Sequence, residues 1–293
     1  MERTLRYAGP GVFVVLWSTG FVGAKYGLPD ADPFPFLALR LLIAAGLLAA
    51  LTGLTGSARP TGRAQYGRAA LVGVLLHAGY LGGVFTGISL GVPAGVAAVV
   101  TSLQPVATAV HAVRVLDERL RAAQWVGLVL GVGGVALVLA PGLRSAHGLP
   151  VGGLLACGVA LASGTAATLY QKRHGSAIPL LSGTAVQYLA AAAVLLLAAL
   201  VTGQHHIAWT ARFLAALAWL VVVLSLGAVL LLLALLRRGT AAGVSSLLYL
   251  VPPATALEAL VLFDERLAAV SVLGIVVAAA GVALVARRAA ATA

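Results

Sequence analysis

The stretch Leu103-Gln104-Pro105-Val106-Ala107-Thr108-Ala109, running on to Leu116-Asp117-Glu118-Arg119-Leu120, returns later in the chain. There it reads Leu250-Val251-Pro252-Pro253-Ala254-Thr255-Ala256, running on to Phe263-Asp264-Glu265-Arg266-Leu267. The two copies lie 147 residues apart, and the same shift lays Gly134-Val135-Ala136-Leu137-Val138 on Gly281-Val282-Ala283-Leu284-Val285. An ungapped match of this length exceeds what an Ala/Leu/Val-rich composition produces by itself, so the chain reads as a duplication. The first part of each half matches poorly, with Lys25 over Lys172 as the main polar coincidence.

The surroundings of the repeat identify the solvent. Of 293 residues, 61% are hydrophobic and 9% charged, with mean hydropathy +1.05. Soluble domains carry about 25% charged residues, and so few charges cannot hydrate the surface of a chain this long. The formal net charge of +11 raises a nucleic-acid reading, but the 19 Lys and Arg sit at the ends of apolar runs and form no basic face. Contact with anionic lipid headgroups and the setting of topology explain them instead. Cys157 is the single cysteine, which excludes an internal disulfide and a Cys-based metal cluster and reads as a small buried thiol. Met1 to Ala24 resembles a signal peptide, but its apolar run continues through Trp17 and Phe21 without a cleavage-site pattern and is expected to be a retained first helix.

A helix needs about 20 apolar residues to cross the hydrocarbon core. Stretches free of Asp, Glu, Lys and Arg run 7–24, 41–58, 69–113, 122–143, 145–171, 174–211, 213–236, 239–257 and 267–286. The third is too long for one span and breaks at Gly91-Val92-Pro93, so ten transmembrane helices are expected in an all-α chain. With the N-terminus inside, Arg3, Arg6, Arg59, Arg63, Arg68, Arg114, Arg119, Arg121, Lys172, Arg173, Arg237, Arg238, Arg287 and Arg288 fall inside. Lys25, Arg144, Arg212 and Arg266 fall outside, and Arg40 lies within the second helix. This bias predicts cytoplasmic termini. Each half, 1–143 and 144–293, then holds five helices, and an odd number forces the second copy to enter upside down. Inverted repeats let a central site open to each side in turn; the competing reading is a duplicated scaffold.

On these features the chain resembles the drug/metabolite transporter superfamily, specifically its EamA-type permeases. The likeness extends over essentially the whole chain and rests on two five-helix halves with the paired endings Leu103-Gln104-Pro105 to Arg119 and Val251-Pro252-Pro253 to Arg266. Halves of that family commonly end such helices with Gly-Glu, where this chain has Asp-Glu twice. Leu16-Trp17-Ser18-Thr19-Gly20-Phe21 and His77-Ala78-Gly79-Tyr80-Leu81 are similar to segments of bacterial amino-acid exporters of that group. The resemblance implies solute export, with amino acids foremost among metabolites, drugs and nucleotide sugars.

Polar and aromatic side chains at mid-depth are the informative ones, because helix ends tolerate them cheaply. Trp17, His77, Tyr80, Thr101, Ser163 and Tyr249 are the expected substrate-binding residues, with Ser102 and Gln104 at the same depth. His77 and Tyr80 share a helical face and can bind a carboxylate or amine; the alternative is hydrogen bonding between helices. Trp17 stacks on substrate or fills the bundle core. Pro105 and Pro252 each remove a helical hydrogen bond and are expected hinges, with static kinks as the alternative. Glu258, the one acid well inside a span, is expected to snorkel or pair with Arg40; its repeat mate His111, like Lys25 and Lys172, is read as interfacial. Gly127-x-x-x-Gly131 and Gly274-x-x-x-Ala278 allow close helix approach, inside each half or at a dimer contact.

No Gly-x-x-x-x-Gly-Lys-[Ser/Thr] loop or His-Glu-x-x-His motif occurs, and no spaced carboxylate pair suggests hydrolytic chemistry. His205-His206 stands in a loop without partner ligands. Neither cofactor nor metal is expected, and the driving force is a gradient of solute or coupled ion. His77 is the mid-depth group that titrates near neutrality, the one foothold for proton coupling. The sequence thus predicts a non-enzymatic secondary transporter in the inner membrane, exporting small amphipathic metabolites by alternating access. Its partners are a small solute and the lipid bilayer, not nucleic acid, and the sequence is silent on oligomeric state. An intramembrane enzyme and a non-transporting receptor or scaffold are the rivals from other classes.

Overall fold

In the computed structural model, residues 9–104, 106–108, 122–143, 150–174, 178–228, 231 and 250–289 are described. Among them the chain is all-α, with one isolated bridge between Ala31 and Ile207. Helix α1 spans Gly9–Gly27, α2 Pro33–Thr55, α3 Gly62–Ser89, α4 Ala94–Thr101 and α5 Ala122–Leu143. Then come α6 over Val151–His174, α7 over Leu180–Thr202, α8 over Ala211–Ala228, α9 over Val251–Phe263 and α10 over Ala269–Ala289. Six of these, α1 to α3 and α6 to α8, are long and apolar enough to cross a bilayer; the others are shorter apolar helices. The protein is a multi-pass membrane protein.

Local chemistry sets several boundaries away from the charge-free stretches. Helix α2 begins at Pro33, after Asp32 in extended backbone at φ −63° and ψ 147°, because proline suits the first helical turn, where its missing N–H costs nothing. It therefore starts before the expected residue 41, and Arg40 lies two turns inside it. At its far end Gly56 closes the helix in the left-handed region at φ 62°, where a side chain is unfavourable. Helix α7 repeats this plan 147 residues on, with Pro179 extended before it and Gly203 at φ 71° after it. The weakly matching first part of each half thus keeps the same offset in structure. The break at 91–93 also stands, with Gly91 at φ 94° and Pro93 preceding α4. Helix α9 passes Glu258 and continues to Phe263, so the charge-free criterion ended it too early. Pro252 sits in its first turn; Pro105 lies outside the described residues.

Small residues bring the helices together. Gly79, Gly83 and Gly87 recur every fourth position on α3. A side chain there would run into Ser163, into Ala156 and Ala160, and into Gly153 and Cys157 of α6, respectively. The order of these contacts makes α3 and α6 antiparallel. Helices α5 and α10 are antiparallel as well. A Cβ on Gly134 would lie 2.6 Å from the Gly274 carbonyl oxygen, and one on Gly281 would lie 2.6 Å from that of Gly127. Exchanging each residue for its counterpart 147 positions away converts the first contact into the second. The two glycine motifs therefore meet one another where α5 packs on α10. Ser271 Oγ adds a hydrogen bond to the Val138 carbonyl at 3.1 Å.

One end of the bundle is tied by polar contacts. Arg212 donates to both oxygens of Asp30, at 2.6 and 2.7 Å, and Thr210 Oγ1 donates to the same carboxylate at 2.9 Å. Backbone bonds link Asp32 to His206 and Ala208 to Asp30, while Lys25 pairs with Glu265 and lies over the Phe263 ring, 4.7 Å from its centroid. At the opposite end Ser182 Oγ donates to the Ala58 carbonyl at 2.7 Å. These links set α2 against α7 in antiparallel fashion.

Candidate substrate cavity

Helices α3 and α8 both change their winding at matching places. Residues Val74–Leu81 of α3 and Trp219–Ala228 of α8 are π-helical, a wider turn that is uncommon and often marks functional sites. The wider turn rotates the following side chains relative to an α-helix. In α3 it presents Leu76, His77, Tyr80 and Leu81 to the bundle interior, and in α8 Leu224 and Ser225.

These side chains enclose a cavity with about 120 Å³ of room for the centres of water-sized molecules. Trp17, Gly20 and Phe21 of α1, Arg40 and Leu41 of α2, Val84 and Phe85 of α3, and Tyr188 of α7 complete the wall. Most of the lining is aromatic or aliphatic, and the polar groups gather on one side. Arg40 is 4% exposed and its Nε donates to Ser225 Oγ at 3.2 Å. Ser225 in turn donates to the Leu220 carbonyl at 3.0 Å. Nη1 of Arg40 is buried and has no hydrogen-bond partner among the described residues. His77 Nε2 lies 3.4 Å from Gln187 Oε1, and its ring packs edge-on against Tyr188 with centroids 4.7 Å apart.

The two polar contacts are related through the repeat. The 147-residue shift carries Arg40 onto Gln187 and Ser225 onto Ala78, the neighbour of His77. Arg40 of α2 thus reaches the π-helical segment of α8, and Gln187 of α7 reaches that of α3. A buried guanidinium is costly, about 2.5–3.5 kcal/mol at mid-membrane on insertion scales, so its place against a cavity calls for a functional reading.

Three of the expected site residues meet at this cavity: Trp17, His77 and Tyr80. Trp17 also packs against Phe13, with ring centroids 5.3 Å apart. Thr101 and Ser163 stand one layer behind. Thr101 Oγ1 donates to the Ala97 carbonyl at 2.8 Å. Ser163 Oγ donates to the Leu75 carbonyl of the π segment at 2.8 Å. Gln104 ties the same region to α6, donating to the Gly164 carbonyl at 3.1 Å and Thr168 Oγ1 at 2.7 Å. Tyr249 and His111 lie outside the described residues. Glu258 does not pair with Arg40; its Oε1 receives Ser18 Oγ at 2.5 Å, between α1 and α9.

Sequence reasoning missed Arg40, Tyr188 and Ser225 as wall residues and Gln187 behind them. For Arg40 the signal was present: the sequence already places it within the second helix, where a charge is costly and marks a site. No local signal shows that Tyr188, Gln187 or Ser225 faces a cavity.

The bundle of apolar helices closes on a cavity whose polar groups gather on one side. Residues 12–140 and 150–287 each match the EamA-like transporter family, and the chain belongs to that family. The uncharacterized inner membrane transporter YedA of Escherichia coli K12 is 30% identical over 193 residues, or 65% of this chain. The chain spans 60% of that relative's length. The uncharacterized transporter YvbV of Bacillus subtilis is 29% identical over 275 residues, 93% of this chain and 88% of its own. A probable amino-acid metabolite efflux pump of Salmonella typhimurium is 30% identical over 134 residues, 46% of this chain and 42% of its own. A protein crystal structure 21% identical in sequence shares the fold with a TM-score of 0.66, covering 96% of this chain and 97% of that one.

Proposed function

We propose that the chain is a secondary transporter exporting small amphipathic metabolites, amino acids foremost, across the inner membrane. In this reading it is no enzyme. Residues 1–143 and 144–293 form two inverted five-helix halves with both termini cytoplasmic, and substrate occupies the cavity between them. The observation that carries the reading is the cavity itself, with walls from α1 to α3 on one side and α7 and α8 on the other. A site shared between halves changes its access when the halves rock. The symmetric contact of α5 with α10 supports inversion, and the family's two matched stretches support the division into halves. The amino-acid preference draws on the Salmonella efflux pump and on the cavity's mix of aromatic walls and clustered polar groups. Pro105 and Pro252 are the proposed hinges, and Trp17, His77, Tyr80, Thr101, Ser163 and Tyr249 the proposed substrate residues. Ser163 would then act from behind, by holding the π segment.

The test is counterflow in proteoliposomes, following uptake of labelled amino acids with and without unlabelled substrate inside. Internal substrate is expected to stimulate uptake. His77→Ala and Tyr80→Phe are each expected to weaken apparent affinity by about tenfold, the cost of one buried hydrogen bond left unmade. Absence of flux across a broad panel of metabolites overturns the transport reading. Wild-type flux in both variants removes His77 and Tyr80 from the site.

A further inference from the structure

Resting on the reading of this cavity as the substrate site, we infer that Arg40 is the receptor for a substrate carboxylate. The site would then take monocarboxylates with an apolar body and refuse amines that lack the acid group. Arg40 brings a permanent charge to a wall otherwise built largely of apolar groups. Its Nε is engaged by a neutral hydroxyl, Ser225, while Nη1 is buried without a partner among the described residues. Among the described residues no Asp or Glu lines the cavity, so they supply no counter-charge there. A planar guanidinium with open N–H groups matches a carboxylate in shape as well as charge.

The neighbours extend the match. Tyr188 and His77 line the same end of the cavity, and the Tyr188 hydroxyl offers a further hydrogen bond to a carboxylate oxygen. Trp17, Phe21 and Phe85 face the remaining space and suit an aliphatic or aromatic body. An ammonium group finds no carboxylate in this wall. The amine of an amino acid is therefore tolerated here, and the acid group is what the site recognises.

A matched series with one hydrocarbon body tests this: L-leucine, 4-methyl-2-oxopentanoate, L-leucinamide and 3-methylbutylamine. Two measurements are made on the full chain, thermal stabilisation of the detergent-purified protein and competition in proteoliposome counterflow. The two carboxylates are expected to raise the melting temperature and to compete, while the amide and the amine do neither. Arg40→Gln is expected to weaken carboxylate binding roughly thirty-fold or more, the loss when a desolvated charge loses its hydrogen-bonded partner. Its ligand-free melting temperature should hold or rise, because an unmatched buried charge is gone. Arg40→Lys keeps the charge without the fork and should retain part of the shift.

If Arg40→Gln lowers the ligand-free melting temperature yet keeps the carboxylate shift, Arg40 is a structural pin and the inference fails. Exchange of amines or amides with no effect of carboxylates also overturns it and leaves the transport reading standing. Carboxylate stabilisation lost in Arg40→Gln, with no exchange of any solute, upholds the carboxylate site and overturns the transport reading.

Discussion

Ser163 is half-buried behind the cavity wall, and its one hydroxyl proton goes to the carbonyl of Leu75. That carbonyl belongs to the π segment that presents His77 and Tyr80, so Ser163 bears on the site through backbone. Ser163→Ala removes the bond and leaves the small side chain that Gly79 requires. Its expected cost is about 0.6–2 kcal/mol, the range for hydrogen bonds between helices in membranes. A modest fall in melting temperature with a loss of transport affinity agrees with this role; an unchanged affinity does not. Trp17, His77 and Tyr80 were legible in the sequence because a polar or aromatic group at mid-depth in an apolar helix is conspicuous. Arg40 was legible as a charge within the second helix but not as part of a cavity wall, and Tyr188 was hidden by the absence of any sign of which face it presents. Glu258 was legible as an intramembrane acid. Its neighbour Ser18, 240 residues away in sequence, is a matter of tertiary contact.

At the scale of helices, glycine spacing decides which pairs approach closely. The α3 stripe of Gly79, Gly83 and Gly87 admits α6, and Gly134 admits the backbone of α10. At Gly134 the obstacle is main chain, which a rotamer change cannot relieve. Gly134→Leu is therefore expected to separate α5 from α10 at a cost of about 1–3 kcal/mol, the usual size for overpacking. The expected readout is a lower melting temperature, and Gly281→Leu should behave alike because it occupies the equivalent place in the repeat. Gly133, one residue away, has open space around its Cβ position. Gly133→Leu should leave the melting temperature close to wild type, and an equal fall in both variants would reject the packing argument. The sequence displayed the Gly127 and Gly274 motifs without naming their partners. Only the folded bundle shows that they meet one another, since several apolar helix faces could have received either one.

For the whole molecule the polar ties sort the loops into two ends. Lys25, Asp30, Asp32, His206, Arg212 and Glu265 gather at one end, while Ala58 and Ser182 meet at the other. With Cys157 buried and replaced by Ser, single cysteines can be introduced at chosen loop positions and labelled by an impermeant thiol reagent. Cysteines in 117–121 are expected to react from the cytoplasmic side and those in 264–267 from the opposite side. Reaction of both from one side contradicts inversion and removes the mechanical basis for alternating access. The ends carry much of the charge in the described chain because lipid cannot solvate ions along the spans.

By itself the sequence determined that this chain lives in lipid, that it is helical throughout its spans and that it was built by duplication. Those properties follow from summed hydropathy, the satisfaction of backbone hydrogen bonds within each helix and repeated residues, none of which depends on how helices pack. The tertiary structure alone decided which helices meet, that two π-helical segments turn their side chains inward, and that Arg40 faces a cavity with an N–H unmatched. Those outcomes depend on the rotation of each helix about its axis. In a chain apolar on nearly every face, small residues and hydrogen bonds between distant positions set that rotation.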